Sequence, residues 1–135
     1  MDKTVKLVDI ISFVDDESSN RLAESVRAID WEARVFPSDR WLHEFRLKPT
    51  ALLYPLIFLI EDVTPQLETF VASLPADIQS SLLVNLNSSL ELSYSILKIV
   101  DDFITAPFAG FELKLRLEKL SLAEFEQHGH CLLRR

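Results

Sequence analysis

Two hydrophobic rhythms alternate along the chain, one of short apolar runs and one of helical spacing. From Leu7 to Val14 the residues LVDIISFV form a near-continuous apolar stretch rich in β-branched side chains. That is the pattern of a strand covered on both faces, and Asp15 and Asp16 end it. From Ser18 to Ile29 the apolar residues Leu22, Val26 and Ile29 recur at helical spacing, with Ser18, Ser19 and Asn20 as candidate caps. A β-prone segment, Ala33 to Phe36, precedes Pro37. Ser38 or Asp39 then caps a segment whose Trp41, Leu42 and Phe45 share a face.

The alternation continues. Leu56 to Ile60 (LIFLI) has the length and composition of a central strand and runs straight into Glu61 and Asp62. After Pro65, Leu67, Phe70, Val71 and Leu74 predict a helix. Ser81 to Leu86 (SLLVNL) reads as a fourth strand, with a less regular helix marked by Leu90, Leu92, Tyr94, Ile96 and Leu97 behind it. Asp102 to Thr105 (DFIT) is a fifth strand that stops short of Pro107, and from Phe111 onward Leu113, Leu115, Leu117, Leu120 and Leu122 describe a final helix. Five strands alternating with helices over short connections require crossovers, and so a parallel sheet with helices on both faces. In such sheets the working site lies at the carboxyl ends of the strands, near the point where strand order reverses. The acids of this chain collect at those ends.

Size and composition narrow the classes. The chain has 135 residues, 48% hydrophobic and 26% charged, enough for one folded domain with a genuine core. A net charge of −7 disfavours nucleic acid and anionic membrane as direct partners. The longest apolar run, Ala51 to Ile60, is about half the roughly 20 residues that a membrane span needs, and a proline interrupts it. A single cysteine, Cys131, excludes an internal disulfide framework, and with no signal-peptide pattern at the N-terminus the expected location is the cytoplasm. Only two glycines are present, so a Gly-rich phosphate loop is excluded, and no Gly-x-Ser-x-Gly nucleophile elbow occurs. His128, His130 and Cys131 fall short of a zinc motif, with His43 the only other histidine. Trp41 reads as core, and Trp31 is left open between core and surface. The strand ends are predicted to bring together Asp15, Asp16, and Glu61 or Asp62, hard oxygen donors suited to magnesium. The bland alternative is that these acids cap helices and stay solvated.

The segments FVDDE, LIEDVTP and DDFITAPF resemble the corresponding strand ends of bacterial response-regulator receiver domains, and the likeness runs from Leu7 to about Leu120. The resemblance implies a flavodoxin-like (βα)5 α/β fold with strand order 2-1-3-4-5, a receiver-like domain over 1–122, and a helical extension or linker to an output domain over 123–135. It further implies a signalling role in two-component phosphorelay, and not an enzyme. In that family the first acid pair helps bind magnesium, and an aspartate after the third strand takes the phosphoryl group. A Ser or Thr after the fourth strand and a Lys after the fifth read its presence.

This chain departs at each of those reading positions. Aligned on Pro65, the acceptor position holds Glu61, whose carboxylate reaches about 1.5 Å further than an aspartate's. A loop one residue tighter places Asp62 there instead. The hydroxyl position falls on Asn87, with Ser88 immediately after it, and the lysine position on Ala106. Loss of one preorganised cation of this kind costs about 10² to 10³ in rate. The resemblance therefore implies a degenerate receiver working by phosphorylation-independent protein–protein contact, with magnesium, held by Asp15, Asp16 and Glu61, weak or absent. Its alternatives are a competent magnesium-dependent acceptor at Asp62 and an unrelated flavodoxin-like small-molecule binder. Phe103 stands where receivers carry a switch aromatic, which otherwise reads as a packing residue. The face of the fourth helix, fifth strand and fifth helix is the expected surface for a homodimer, a protein partner or a fused output domain.

Overall fold

A computed structural model describes residues 6–47, 55–73, 81–91, 94–98 and 100–120. Its elements are β1 (Leu7–Ser12), α1 (Asp16–Ala28), β2 (Glu32–Pro37), α2 (Ser38–Leu47), β3 (Leu56–Ile60), α3 (Pro65–Ala72), β4 (Ser81–Asn85), α4 (Tyr94–Leu97) and β5 (Asp102–Thr105). A further helix, α5, spans 110–120. The strands form one five-stranded sheet in the order β2-β1-β3-β4-β5, and every pair is parallel. Burial follows that order. β3 and β4 are buried at every position, whereas the edge strands β2 and β5 alternate with exposed or half-buried residues.

Each face of the sheet carries its own apolar cluster, because successive side chains in a strand point to opposite faces. On one face Val8, Ile10, Ile57, Leu59, Leu82, Val84 and Ile104 pack against Leu22 and Val26 of α1 and Leu113 and Leu117 of α5. On the other, Ile11, Phe58, Ile60 and Leu83 pack against Trp41 of α2, Leu67 and Phe70 of α3 and Ile96 of α4. Both tryptophans are core residues: Trp31 is 3% exposed and Trp41 1%.

The start of α1 differs from the sequence-based expectation. The strand does not run to Val14 but ends at Ser12, and the helix does not wait for a serine cap. Val14 N–H donates to Ser12 Oγ at 3.2 Å, which offers the backbone a local partner in place of the sheet. The Ser12 and Ser19 hydroxyls meet at 2.6 Å and tie the strand end to the helix. Asp15, in extended conformation, is the true N-cap: its carboxylate accepts from Ser18 N–H at 2.7 Å. Asp16 and Glu17 then occupy the first turn, where their charge complements the helix dipole. A polar first turn leaves no trace in apolar spacing, so the spacing places the helix start too late. At the other end, Trp31 N–H and Asp30 N–H donate to Val26 O and Arg27 O, a Schellman closure with Asp30 at φ 68°.

Among the described residues no helix is long and apolar enough to cross a membrane. Leu74, Leu92 and Leu122, the tail with His128, His130 and Cys131, and the proposed linker over 123–135 lie outside the described residues.

Candidate functional site

The carboxyl edge of the sheet is where β1, β3, β4 and β5 release their chains into loops. Hydrogen bonds continue the sheet one residue past the strand ends: Phe13 N–H donates to Leu59 O at 3.0 Å, Leu86 N–H to Ile60 O at 2.8 Å, and Ala106 N–H to Asn85 O at 2.8 Å. Glu61 therefore follows directly on a fully buried strand and begins an exposed bend. On the β1 side the residue bonded to this edge is Phe13, not an acid, and its ring packs edge-on against Phe70 of α3 at 5.2 Å.

Glu61 and Asp62 are both exposed. The Asp62 carboxylate turns back onto Val63 N–H at 2.8 Å, and Thr64 caps α3 by accepting from Leu67 N–H at 3.2 Å. Asp15 and Asp16 are exposed at the start of α1, with the Asp15 carboxylate committed to its cap. Oxygen donors of this kind suit magnesium chemically, but among the described residues no group of three or more His, Cys, Asp or Glu side chains is set to hold a metal ion. His43 is exposed on α2.

The cap bond from Ser18 N–H, and secondarily the Ser18 hydroxyl, hold the Asp15 carboxyl below its ordinary value of 3.8, with a smaller contribution from Arg21. A depressed folded-state value means stabilisation that is present above pH 3.8 and is lost as pH falls through the lower folded value. Asparagine caps a helix as well as aspartate does but carries no titrating group. Asp15→Asn is expected to match the parent in thermal stability at pH 7 and to lose less between about pH 4 and pH 2, read as melting temperature against pH. Parallel curves for the two proteins would show that the cap does not titrate.

The β4–α4 loop holds a polar network centred on two asparagines. Asn85, 1% exposed at the end of β4, donates from Nδ2 to Asn87 O and accepts at Oδ1 from Asn87 N–H, both at 2.9 Å. Asn87 accepts at Oδ1 from Ser89 N–H at 3.0 Å and donates from Nδ2 to Glu61 O at 3.3 Å. Ala106, in a cis bond to Pro107, adds only its backbone to this network. Lys98 and Lys114 are exposed, one just past α4 and the other in α5. Sequence reasoning singled out Asn87 and missed Asn85, although an asparagine closing an otherwise apolar strand is a visible signal.

Beyond the edge, Phe103 of β5 is 47% exposed, Phe111 71% and Leu115 50%. Phe111 and Leu115 are four residues apart on α5 and share one face. Arg116, on the same helix, ties α5 to β5 through Asp102 at 2.7 Å and braces itself on Glu112 at 3.2 Å.

No protein-family model matches the chain, and no curated protein matches it. Solved structures do. A response regulator receiver domain (CheY-like) from Methylobacillus flagellatus is 14% identical, with a TM-score of 0.63 over 87% of this chain and 99% of that one. The response regulator StyR matches at 16% identity and a TM-score of 0.65, over 97% of this chain and 67% of its own. A chain from the complex of histidine kinase ThkA with response regulator TrrA matches at 16% identity and a TM-score of 0.62, over 86% of this chain and 98% of that one. With the strand order and the two helical layers, these likenesses establish that the chain has the CheY-like fold of response-regulator receiver domains.

Proposed function

We propose that this chain is a degenerate receiver domain of a two-component system that acts by phosphorylation-independent protein–protein contact, self-associating through the face of α4, β5 and α5. The observation that carries the proposal is the exposure of Phe103, Phe111 and Leu115 on neighbouring elements of that face. Large apolar side chains left in water on adjoining elements mark an interaction surface more than scattered single ones do. An isologous dimer covers such a patch with its own copy.

The carboxyl edge supports the same reading. The acceptor position carries Glu61, a fixed negative charge in place of a transient one, and the position of the reading cation carries Ala106. Asn87 stands at the hydroxyl position with its side chain already bonded to two backbones. No metal is needed for this activity. The structural neighbours include a receiver in complex with a histidine kinase and another joined to a GGDEF domain, so a kinase or an attached output domain is the class of heterologous partner that fits.

Sedimentation velocity of the wild type and of a Phe111→Glu, Leu115→Glu variant tests the surface. The expected result is a dimer whose Kd rises at least about tenfold in the variant, the effect of losing one apolar anchor of an interface. Intact mass after acetyl phosphate and magnesium, on the wild type and Asp62→Asn, tests the chemistry, and no phosphoryl adduct is expected. An adduct on the wild type that disappears in Asp62→Asn would replace this proposal with a competent acceptor at Asp62.

A further inference from the structure

Three loops of the carboxyl edge are joined by one continuous run of hydrogen bonds. It passes from Glu61 O to Asn87 Nδ2, from the Asn87 backbone to both polar atoms of the Asn85 side chain, and from Asn85 O to Ala106 N–H. The run therefore connects the residue that begins the β3–α3 loop, the β4–α4 loop and the residue that follows β5. An amide side chain suits this task because it donates from one atom and accepts at another, whereas a hydroxyl has a single polar atom and a carboxylate only accepts.

We infer that Asn85 and Asn87 form a built-in amide latch that holds these three loops in one arrangement, so that the β4–α4 connection is fixed without any phosphoryl group. The burial of Asn85 makes its half of the latch costly to leave unpaired, since a buried amide without partners costs more than its bonds contribute. The exposed half, Asn87 to Glu61 O, is the coupling element: among the described residues it reaches across from the β4–α4 loop to the β3–α3 loop by a side chain. The consequence for function rests on the interaction-domain reading, because a fixed β4–α4 connection sets how α4 and β5 are presented to a partner. Asn85 and Asn87 are thus positioning residues.

Two surface variants of Asn87 separate its bond to Glu61 O from its bond to Ser89 N–H without touching the core. Asn87→Ala removes both side-chain bonds. Asn87→Asp keeps an acceptor for Ser89 N–H but replaces the donor to Glu61 O with an oxygen that repels it. Backbone 15N relaxation and amide exchange by NMR are the readouts. In Asn87→Ala, Ser89 N–H is expected to exchange about three- to tenfold faster, the factor for one lost net hydrogen bond, and order parameters at Glu61–Val63 to fall. In Asn87→Asp, Ser89 stays slow while Glu61–Val63 loosens as in the alanine variant. Unchanged order parameters at Glu61–Val63 in both variants would overturn the latch, whatever happens at Ser89. Sedimentation of the same samples keeps the two ideas apart. Loosened loops in protein that never self-associates support the latch and remove the interaction reading, and an intact dimer over unchanged loops does the reverse.

Discussion

Replacing Phe70 with alanine is expected to destabilise the domain by about 3–5 kcal/mol, the usual cost of emptying a large aromatic site in a close-packed core. Phe70 is 4% exposed and is the meeting point of four elements. Its ring lies 5.2 Å from Phe13 past the end of β1, 6.1 Å from Phe58 of β3 and 6.0 Å from Trp41 of α2, while Phe70 itself belongs to α3. Two of these contacts are edge-to-face, each adding about 0.5–1.5 kcal/mol to the burial term. The rings around the vacated volume belong to separate elements of the sheet and helices, so the site refills only partly and a cavity term remains. Because a domain's whole stability is only about 5–15 kcal/mol, the variant should melt roughly 10–20 °C lower and unfold at much lower urea with an unchanged m-value. Phe70→Leu refills most of the volume and should lose markedly less, which keeps the test readable if the alanine variant does not fold. A loss under about 1 kcal/mol for alanine would mean that the layer formed by α2, α3 and α4 does not depend on this ring.

The fold was legible because its strands announce themselves in two independent ways. LIFLI and DFIT have the predicted bounds, since acids or a proline turn stop each of them, and LIFLI, buried on both faces, needs no alternation to be seen. The five-unit alternation then allowed only a parallel sheet with crossovers, and the observed order β2-β1-β3-β4-β5 is the one implied by the resemblance to receivers. What failed was local and polar. The end of β1 and the start of α1 are decided by Ser12, Ser19 and Asp15 bonding to nearby backbone and to one another, competition that hydrophobic periodicity does not register. The candidate site shows the same division. The strand-end positions of Glu61, Asn87 and Ala106 follow from topology, and their adjacency in one hydrogen-bond network is seen only in three dimensions, because it passes through Asn85 and through backbone atoms.

Asp9 illustrates what periodicity hides most completely, and it carries the second large expected effect. It sits inside LVDIIS, where an acid looks like an interruption of an apolar strand, yet its side chain is only 1% exposed. The register pairs Asp9 with Arg34 of β2 directly, and the guanidinium meets the carboxylate with two bonds, Nε to Oδ1 at 2.7 Å and Nη2 to Oδ2 at 3.0 Å. A planar fork on a planar carboxylate is the strong form of ion pair. It also pins an edge strand, because slipping β2 by one residue would send Arg34 to the opposite face and leave Asp9 buried alone.

The two partners are not equivalent, since the Arg34 side chain is 47% exposed and its charge reaches water while that of Asp9 does not. Arg34→Ala leaves a buried carboxylate unpaired and removes the guanidinium from over the Phe36 ring, 5.6 Å away. The expected loss is about 3 kcal/mol, the low end for breaking a buried pair because solvent can follow the truncated side chain inward. Asp9→Asn, by contrast, leaves only a half-hydrated arginine facing an amide that still accepts a hydrogen bond, and should lose distinctly less. The double replacement Asp9→Leu with Arg34→Met should recover most or all of the wild-type stability, as apolar residues of similar volume do in place of a buried pair. Urea unfolding of the four proteins, wild type and the three variants, reads all three expectations at once. Equal losses for Arg34→Ala and Asp9→Asn would mean that water reaches Asp9 freely and that β2 is held in register by its backbone ladder alone.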